Sequence, residues 1–153
     1  MKIERQLAEL GVELRASSIP VTAPLVPWKI SGKRLYLSGA GPQVADGSTP
    51  VGKLGREFTT TQGQEFARSI AAAHLGSIKE ALGDLDRVTR IVKVLGMVNG
   101  TDDFTEQPQV INGYSDLFVE LWGEDGRHAR SAVGMQQLPG GMPVEIEAIV
   151  EFE

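Results

Sequence analysis

Residues 129–153 read ARSAVGMQQLPGGMPVEIEAIVEFE, and how this stretch divides into strands decides the fold. Alternate residues of a strand face opposite sides. From Val144 to Glu153, one side carries Val144, Ile146, Ala148, Val150 and Phe152, and the other carries Glu145, Glu147 and Glu151. From Arg130 to Leu138, Val133 and Met135 point one way while Arg130, Ala132, Gly134 and Gln136 point the other. The pattern predicts two strands with an apolar face and an acidic face that holds one guanidinium.

The connection Leu138-Pro139-Gly140-Gly141-Met142-Pro143 carries the breakers of a tight reversal. A hairpin closed about Gly140 and Gly141 sets Val133 opposite Ala148, Met135 opposite Ile146, Gln136 opposite Glu145 and Arg130 opposite Glu151. Arg130 and Glu145 are then about six rungs apart, or roughly 20 Å at the usual rise per strand residue. One small ligand cannot touch both within one protomer, so a site that uses both is shared between subunits. Two readings of Arg130 stand side by side: an exposed cross-strand partner for Glu151, or a planar two-pronged ligand for a carboxylate.

Outward from this stretch the order is mixed. Ile3, Leu7 and Leu10 have helical spacing and Gly11 follows, so a short helix precedes an extended passage punctuated by Pro20, Pro24 and Pro27. Trp28 to Ser31 and Arg34 to Ser38 flank the Gly32-Lys33 turn as a hairpin, and a Gly- and Pro-rich loop runs from Gly39 to Arg56. Its Gly39-Ala40-Gly41 lacks the continuation of a phosphate-binding fingerprint. Thr61-Gln62-Gly63-Gln64 has a capping-box pattern, and Phe66, Ile70, Ala73, Leu75, Ile78, Ala81 and Leu82 sustain a helix to Gly83. Val88 to Val98, rich in β-branched residues, predicts a central strand. Asp102 or Asp103 opens a second long helix that runs past Pro108 to about Trp122. The elements follow the order α, ββ, α, β, α, ββ in a single domain over 1–153, with 1–27 as a helical and extended N-terminal extension and 28–153 as the core.

Composition narrows the chemistry. With 41% hydrophobic and 23% charged residues in 153, the chain can bury a core without a staple. It has no cysteine, which removes disulfides, thiolate zinc sites and cysteine nucleophiles. No apolar stretch reaches the length of a membrane span and no signal h-region opens the chain, so a soluble, cytoplasmic protein without membrane partners is expected. A formal charge of -5 argues against stable nucleic-acid binding, which depends on cationic contacts with phosphate. Asn99-Gly100-Thr101 reads as a turn. His74 falls within an amphipathic helix and reads as packed or solvated. His128, two positions from Arg130, is placed to tune that residue's surroundings, but the two histidines have no metal-ligand spacing. No motif sets a histidine beside Ser38, which argues against a serine hydrolase triad.

Leu37-Ser38-Gly39, the strand Val88 to Val98 followed by Asp103-Phe104, Asn112, Ala129-Arg130-Ser131, and Leu138-Pro139 followed by Val144-Glu145-Ile146-Glu147-Ala148 together resemble the Rid/YjgF family of reactive intermediate deaminases, formerly grouped with L-PSP endoribonucleases. The resemblance runs from about Trp28 to Phe152, and the opening IERQLAELG is similar to a longer branch of that family. It implies a chorismate mutase-like α+β fold, a homotrimer, and three ligand clefts between neighbouring subunits. By the same resemblance Arg130 binds the carboxylate of a small metabolite, Glu145 positions the hydrolytic water, Ser38 and Gly39 line the cleft, and Asn112 is a cleft asparagine. The implied reaction is hydrolysis of a 2-imino or enamino acid to the 2-keto acid and ammonia, with no metal or organic cofactor. Trp28 follows Pro27 where active short members carry a tyrosine, and Ala132 stands where many carry a cysteine. Asn112 also reads as a helix residue that satisfies local backbone. Two function classes remain: an imine deaminase, or a non-catalytic sensor of keto or amino acids that uses the same cleft. Ribonuclease activity is disfavoured by the acidic composition, and chorismate mutase activity would rest on fold alone.

Overall fold

The computed structural model describes residues 1–153. The elements are α1 (Lys2–Glu9), β1 (Trp28–Ser31), β2 (Arg34–Ala40), α2 (Thr60–Leu82), β3 (Val88–Asn99), α3 (Gln107–Trp122), β4 (Ala129–Met135) and β5 (Val144–Phe152). The five strands form one mixed sheet in the order β1-β2-β5-β3-β4, with only β3 and β4 parallel. The helices cover one face of it, which gives the expected α+β architecture.

The sheet corrects the predicted C-terminal hairpin. β4 and β5 do not pair: β3 lies between them, parallel to β4 and antiparallel to β5. The reason is burial. β3 buries Ile91, Val94 and Val98 almost completely, and β5 buries Val144, Ile146 and Val150, while Val133 of β4 remains 38% exposed. The two most apolar strands take the interior and the weaker strand takes the edge. The connection after β4 therefore straddles the end of β3. Asn99, the last residue of β3, bonds it there: its N–H donates to Pro143 O at 2.9 Å and its Nδ2 to Met142 O at 3.2 Å. Gly140 and Gly141 supply the left-handed turn, at φ 64° and 72°.

Register also inverts the assigned face of β4. Arg130 is level with Val94 and, across it, Ala148; Val133 is level with Met97 and, across it, Glu145. Arg130, Ala132 and Gly134 thus face the helices, and Val133 shares the open face with Glu145. Arg130 is not opposite Glu151, which pairs with Arg90 at 3.1 Å instead.

Element boundaries moved where local bonds compete. The α2 capping box is built by Thr59 and Gln62, not from Thr61. α3 begins only at Gln107, because Thr101 is engaged with Asp103 at 2.7 Å and accepts from Phe104 N–H in a preceding turn. Pro108 sits in the first turn of α3, where its missing donor costs nothing. Leu10 ends α1 and is exposed, whereas Ile3 and Leu7 are buried. Asp86 anchors α1 by accepting from Lys2 N–H at 2.6 Å and Ile3 N–H at 2.8 Å. α2 and α3 pack so closely that a Cβ on Gly113 would stand 2.1 Å from Gln64 O. No helix is long and apolar enough to cross a membrane.

Candidate functional site

The candidate residues fall into three groups. The first is at the β4 edge. One turn of α3 presents Asn112 and Ser115 to β4, and Arg130 Nη1 donates to Asn112 Oδ1 at 2.9 Å and Ser115 Oγ at 3.1 Å. Nη2 reaches Pro108 O at 3.4 Å, a long bond. All three partners are neutral, and the half-buried guanidinium is paired with no carboxylate. Burial pushes its pKa down, opposed only by the more distant charge of Asp116. Behind it stands His128, whose Nε2 lies 2.8 Å from Ser115 Oγ and whose Nδ1 lies 2.8 Å from Gly126 O. A carbonyl can only accept, so Nδ1 carries the proton and Nε2 accepts from Ser115. Ser115 oxygen is left to receive Arg130. Burial, with the Arg130 charge adding to it, lowers the His128 pKa and keeps the ring neutral.

The second group lines a cavity of about 170 Å³ between α2, the start of β5 and the end of β2. It contains Ser38, Gly39 and Glu145. A bulge in β2 between Leu37 and Ala40 places Ser38 and Gly39, and a Cβ on Gly39 would lie 3.1 Å from Glu145 Cδ. Glycine lets the carboxyl lie flat against the strand. Burial pushes the Glu145 pKa up, and the charge of Glu147 adds to the shift. Ser38 Oγ donates to Val26 O at 2.6 Å, so its hydroxyl proton is committed. His74 is near Ser38 but holds its backbone: Nε2 is 3.0 Å from Ser38 O, and Nδ1 is 2.8 Å from Tyr114 OH. The ring is buried, which lowers its pKa to about 4 and keeps it a neutral strut between α2, α3 and β2.

Trp28 belongs to neither group. Level with Leu37, it packs against the core on the helix-covered side at the sheet edge, and it borders an open groove of about 550 Å³ that Tyr36, Leu95 and Glu147 line from the open face shared with Glu145. Ser38 is shared by cavity and groove.

Within one protomer, Arg130 and Glu145 remain apart. Their rungs differ by three positions and two strand spacings, which amounts to about 14 Å between backbones. Their side chains also leave opposite faces of the sheet. Sequence reasoning missed Ser115, although its spacing of three from Asn112 puts both on one helix face. It also missed Tyr36, which shares the alternation of Arg34 and Ser38.

The family described as "YjgF/chorismate mutase-like, putative endoribonuclease" matches residues 4–147. Protein TCP17 of Trypanosoma cruzi is 44% identical over 152 residues, covering 99% of this chain and 94% of that protein. The crystal structure of Atu1372, a protein of unknown function from Agrobacterium tumefaciens, is 42% identical with a TM-score of 0.89, covering 99% of this chain and 94% of the other. That of a "putative endoribonuclease" from Shewanella oneidensis is 27% identical with a TM-score of 0.92, covering 99% and 100%.

Proposed function

The chain belongs to the YjgF/chorismate mutase-like family, and from that premise we propose that it hydrolyses reactive 2-imino or enamino acids to 2-keto acids and ammonia in clefts built jointly by neighbouring subunits of a trimer. The observation that carries this reading is Arg130: a half-buried guanidinium held by Asn112 and Ser115 with no counter-ion. Such a group is oriented for an anion it does not yet have. In the assembled cleft Arg130 of one protomer holds the substrate carboxylate, and Ser38, Gly39 and Glu145 come from the next.

The chemistry asks for little. C2 of the protonated imine is electrophilic, so Glu145 need only orient a water and accept its proton as oxygen bonds to carbon. The resulting carbinolamine takes that proton on nitrogen, and as the C–N bond breaks Glu145 accepts the hydroxyl proton, the keto group forms, and ammonia leaves and carries that proton away as ammonium. No redox step or cofactor enters this scheme. A raised Glu145 pKa suits a group that both accepts and returns a proton.

A second reading has its own support. Trp28 has no hydroxyl and the Ser38 proton is committed to Val26, so neither supplies the proton handling expected of a tyrosine. The cleft would then sense keto or amino acids without turning them over. Ribonuclease activity, suggested by the description of the family, is opposed by the net charge of -5. The deciding assay generates 2-imino acids with an amino-acid oxidase and traps them with semicarbazide. Hydrolysis reduces semicarbazone formation, and Glu145→Gln should slow turnover by about 100-fold while ligand affinity changes little. Equal turnover in wild type and Glu145→Gln would leave only the sensor reading.

A further inference from the structure

Arg15 is a second guanidinium without an anion, and it opens on the Glu145 cavity. It lies in the extended passage between α1 and β1, where an arginine ordinarily points to water. Here the backbone is fixed against α2. Arg15 N–H donates to Ala72 O at 3.2 Å, and the Arg15 carbonyl fills the space of a missing side chain, 1.9 Å from where Gly76 would carry its Cβ. The side chain joins the cavity wall with Ser77, His74, Ser38 and Glu145, and on its other side it borders a surface groove with Gln43 and Glu65. Nη2 donates to Gly41 O at 3.2 Å, while Nε and Nη1 are sealed from water without a partner. No carboxylate answers the charge. Burial alone lowers its pKa, and the same charge helps hold His74 neutral.

A largely desolvated cation without a counter-ion costs stability that a bound anion restores. The cavity, at about 170 Å³, is small and polar, which suits a short chain ending in a carboxylate. We propose that Arg15 anchors a second, distal carboxylate, so that the preferred ligands of this cleft are 2-imino and 2-keto dicarboxylates of four or five carbons. Arg130 of the neighbouring protomer then takes the carboxylate next to C2, and Glu145 shares the cavity wall with Arg15. This rests on the shared cleft proposed above, but not on turnover.

The test is calorimetric, on the full chain, with 2-oxoglutarate and 2-oxopentanoate, which share a five-carbon chain and differ in the distal carboxylate. The wild type should bind 2-oxoglutarate at least about tenfold more tightly, as a charged hydrogen bond implies. Arg15→Gln should bring the ratio close to one, chiefly through loss of 2-oxoglutarate affinity, and Arg15→Lys should keep part of it. Equal affinities in the wild type overturn the assignment, whether or not the variants fold. So does a variant that weakens both ligands equally, since that is the signature of a structural arginine. Matched imines from glutamate and norvaline separate the two proposals. Dicarboxylate preference without hydrolysis keeps Arg15 and removes the enzyme, whereas hydrolysis without preference does the reverse.

Discussion

Glu145 and Glu147 leave β5 on the same side, two positions apart, so the charge of Glu147 raises the cost of ionising Glu145. Burial is the larger influence on Glu145, with repulsion by Glu147 adding to it. A raised carboxyl pKa means the neutral form persists to higher pH, so a reaction that needs the carboxylate is lost as pH falls through that raised value. The acidic limb of kcat/KM, which reports the free enzyme, should lie above the ordinary glutamate value. Removing the Glu147 charge with Glu147→Gln should move the limb to lower pH, and a limb that stays put or rises would mean that Glu145 does not titrate there. Arg130 makes the complementary case. Arg130→Lys keeps the charge but loses the planar fork that Asn112 and Ser115 orient, and should weaken a keto-acid ligand by about 1 to 3 kcal/mol in calorimetry. Unchanged affinity would show that charge alone matters. These residues were legible in the sequence through the arginine-serine pair and the following Val-Glu-Ile-Glu-Ala. The side that Glu145 faces was legible as well, opposite the buried Val144, Ile146, Ala148 and Val150, but the side that Arg130 faces was not. In β4 both alternations are weak, with Ala132 and Gly134 on one side and Val133 and Met135 on the other, and hydrophobicity chose the wrong one.

At the scale of elements, Asn99 does what the predicted hairpin was expected to do. Proline and glycine mark a reversal but do not say what the chain reverses around. Pro139, Gly140 and Gly141 turn the chain over the end of β3, and Asn99 Nδ2 donates to Met142 O while its Oδ1 accepts from Lys53 Nζ at 2.6 Å. Lys53 in turn donates to Gln136 O at 2.8 Å, so one buried amide ties both ends of the crossover. Asn99→Ala would leave the Met142 carbonyl without this donor and cost about 1 to 3 kcal/mol in urea unfolding. A loss under a few tenths would mean the crossover holds without it. Burial of the polar Asn99 at a strand end was invisible from sequence, because it read as the first residue of an Asn-Gly turn. By contrast the long elements were legible. α2 and β3 carry sustained patterns whose period survives errors at their ends, and the missed boundaries at Thr59 and Gln107 lie where side chains bond the backbone locally.

At the scale of the molecule, the sheet has helices on one face only. Its other face exposes Tyr36 and Val133, at 43% and 38%, and carries the groove lined by Tyr36 and Leu95. Such a face suits burial against another copy, and the separation of Arg130 from Glu145 gives that burial a functional consequence. If each cleft takes Arg130 from one protomer and Glu145 from the next, two inactive variants can repair each other. Arg130→Gln retains Glu145, and Glu145→Gln retains Arg130. Mixed at equal amounts and allowed to exchange subunits at random, they form an intact cleft whenever an Arg130-bearing protomer precedes a Glu145-bearing one. That has odds of a half times a half, so the mixture should recover about a quarter of wild-type turnover. Sedimentation of the same mixture should show a mass of three chains. If both residues served one ligand within a protomer, every mixed assembly would contain only broken sites and no activity would return. Recovery therefore reports the shared cleft directly, and its absence in a mixture proven to have exchanged removes it.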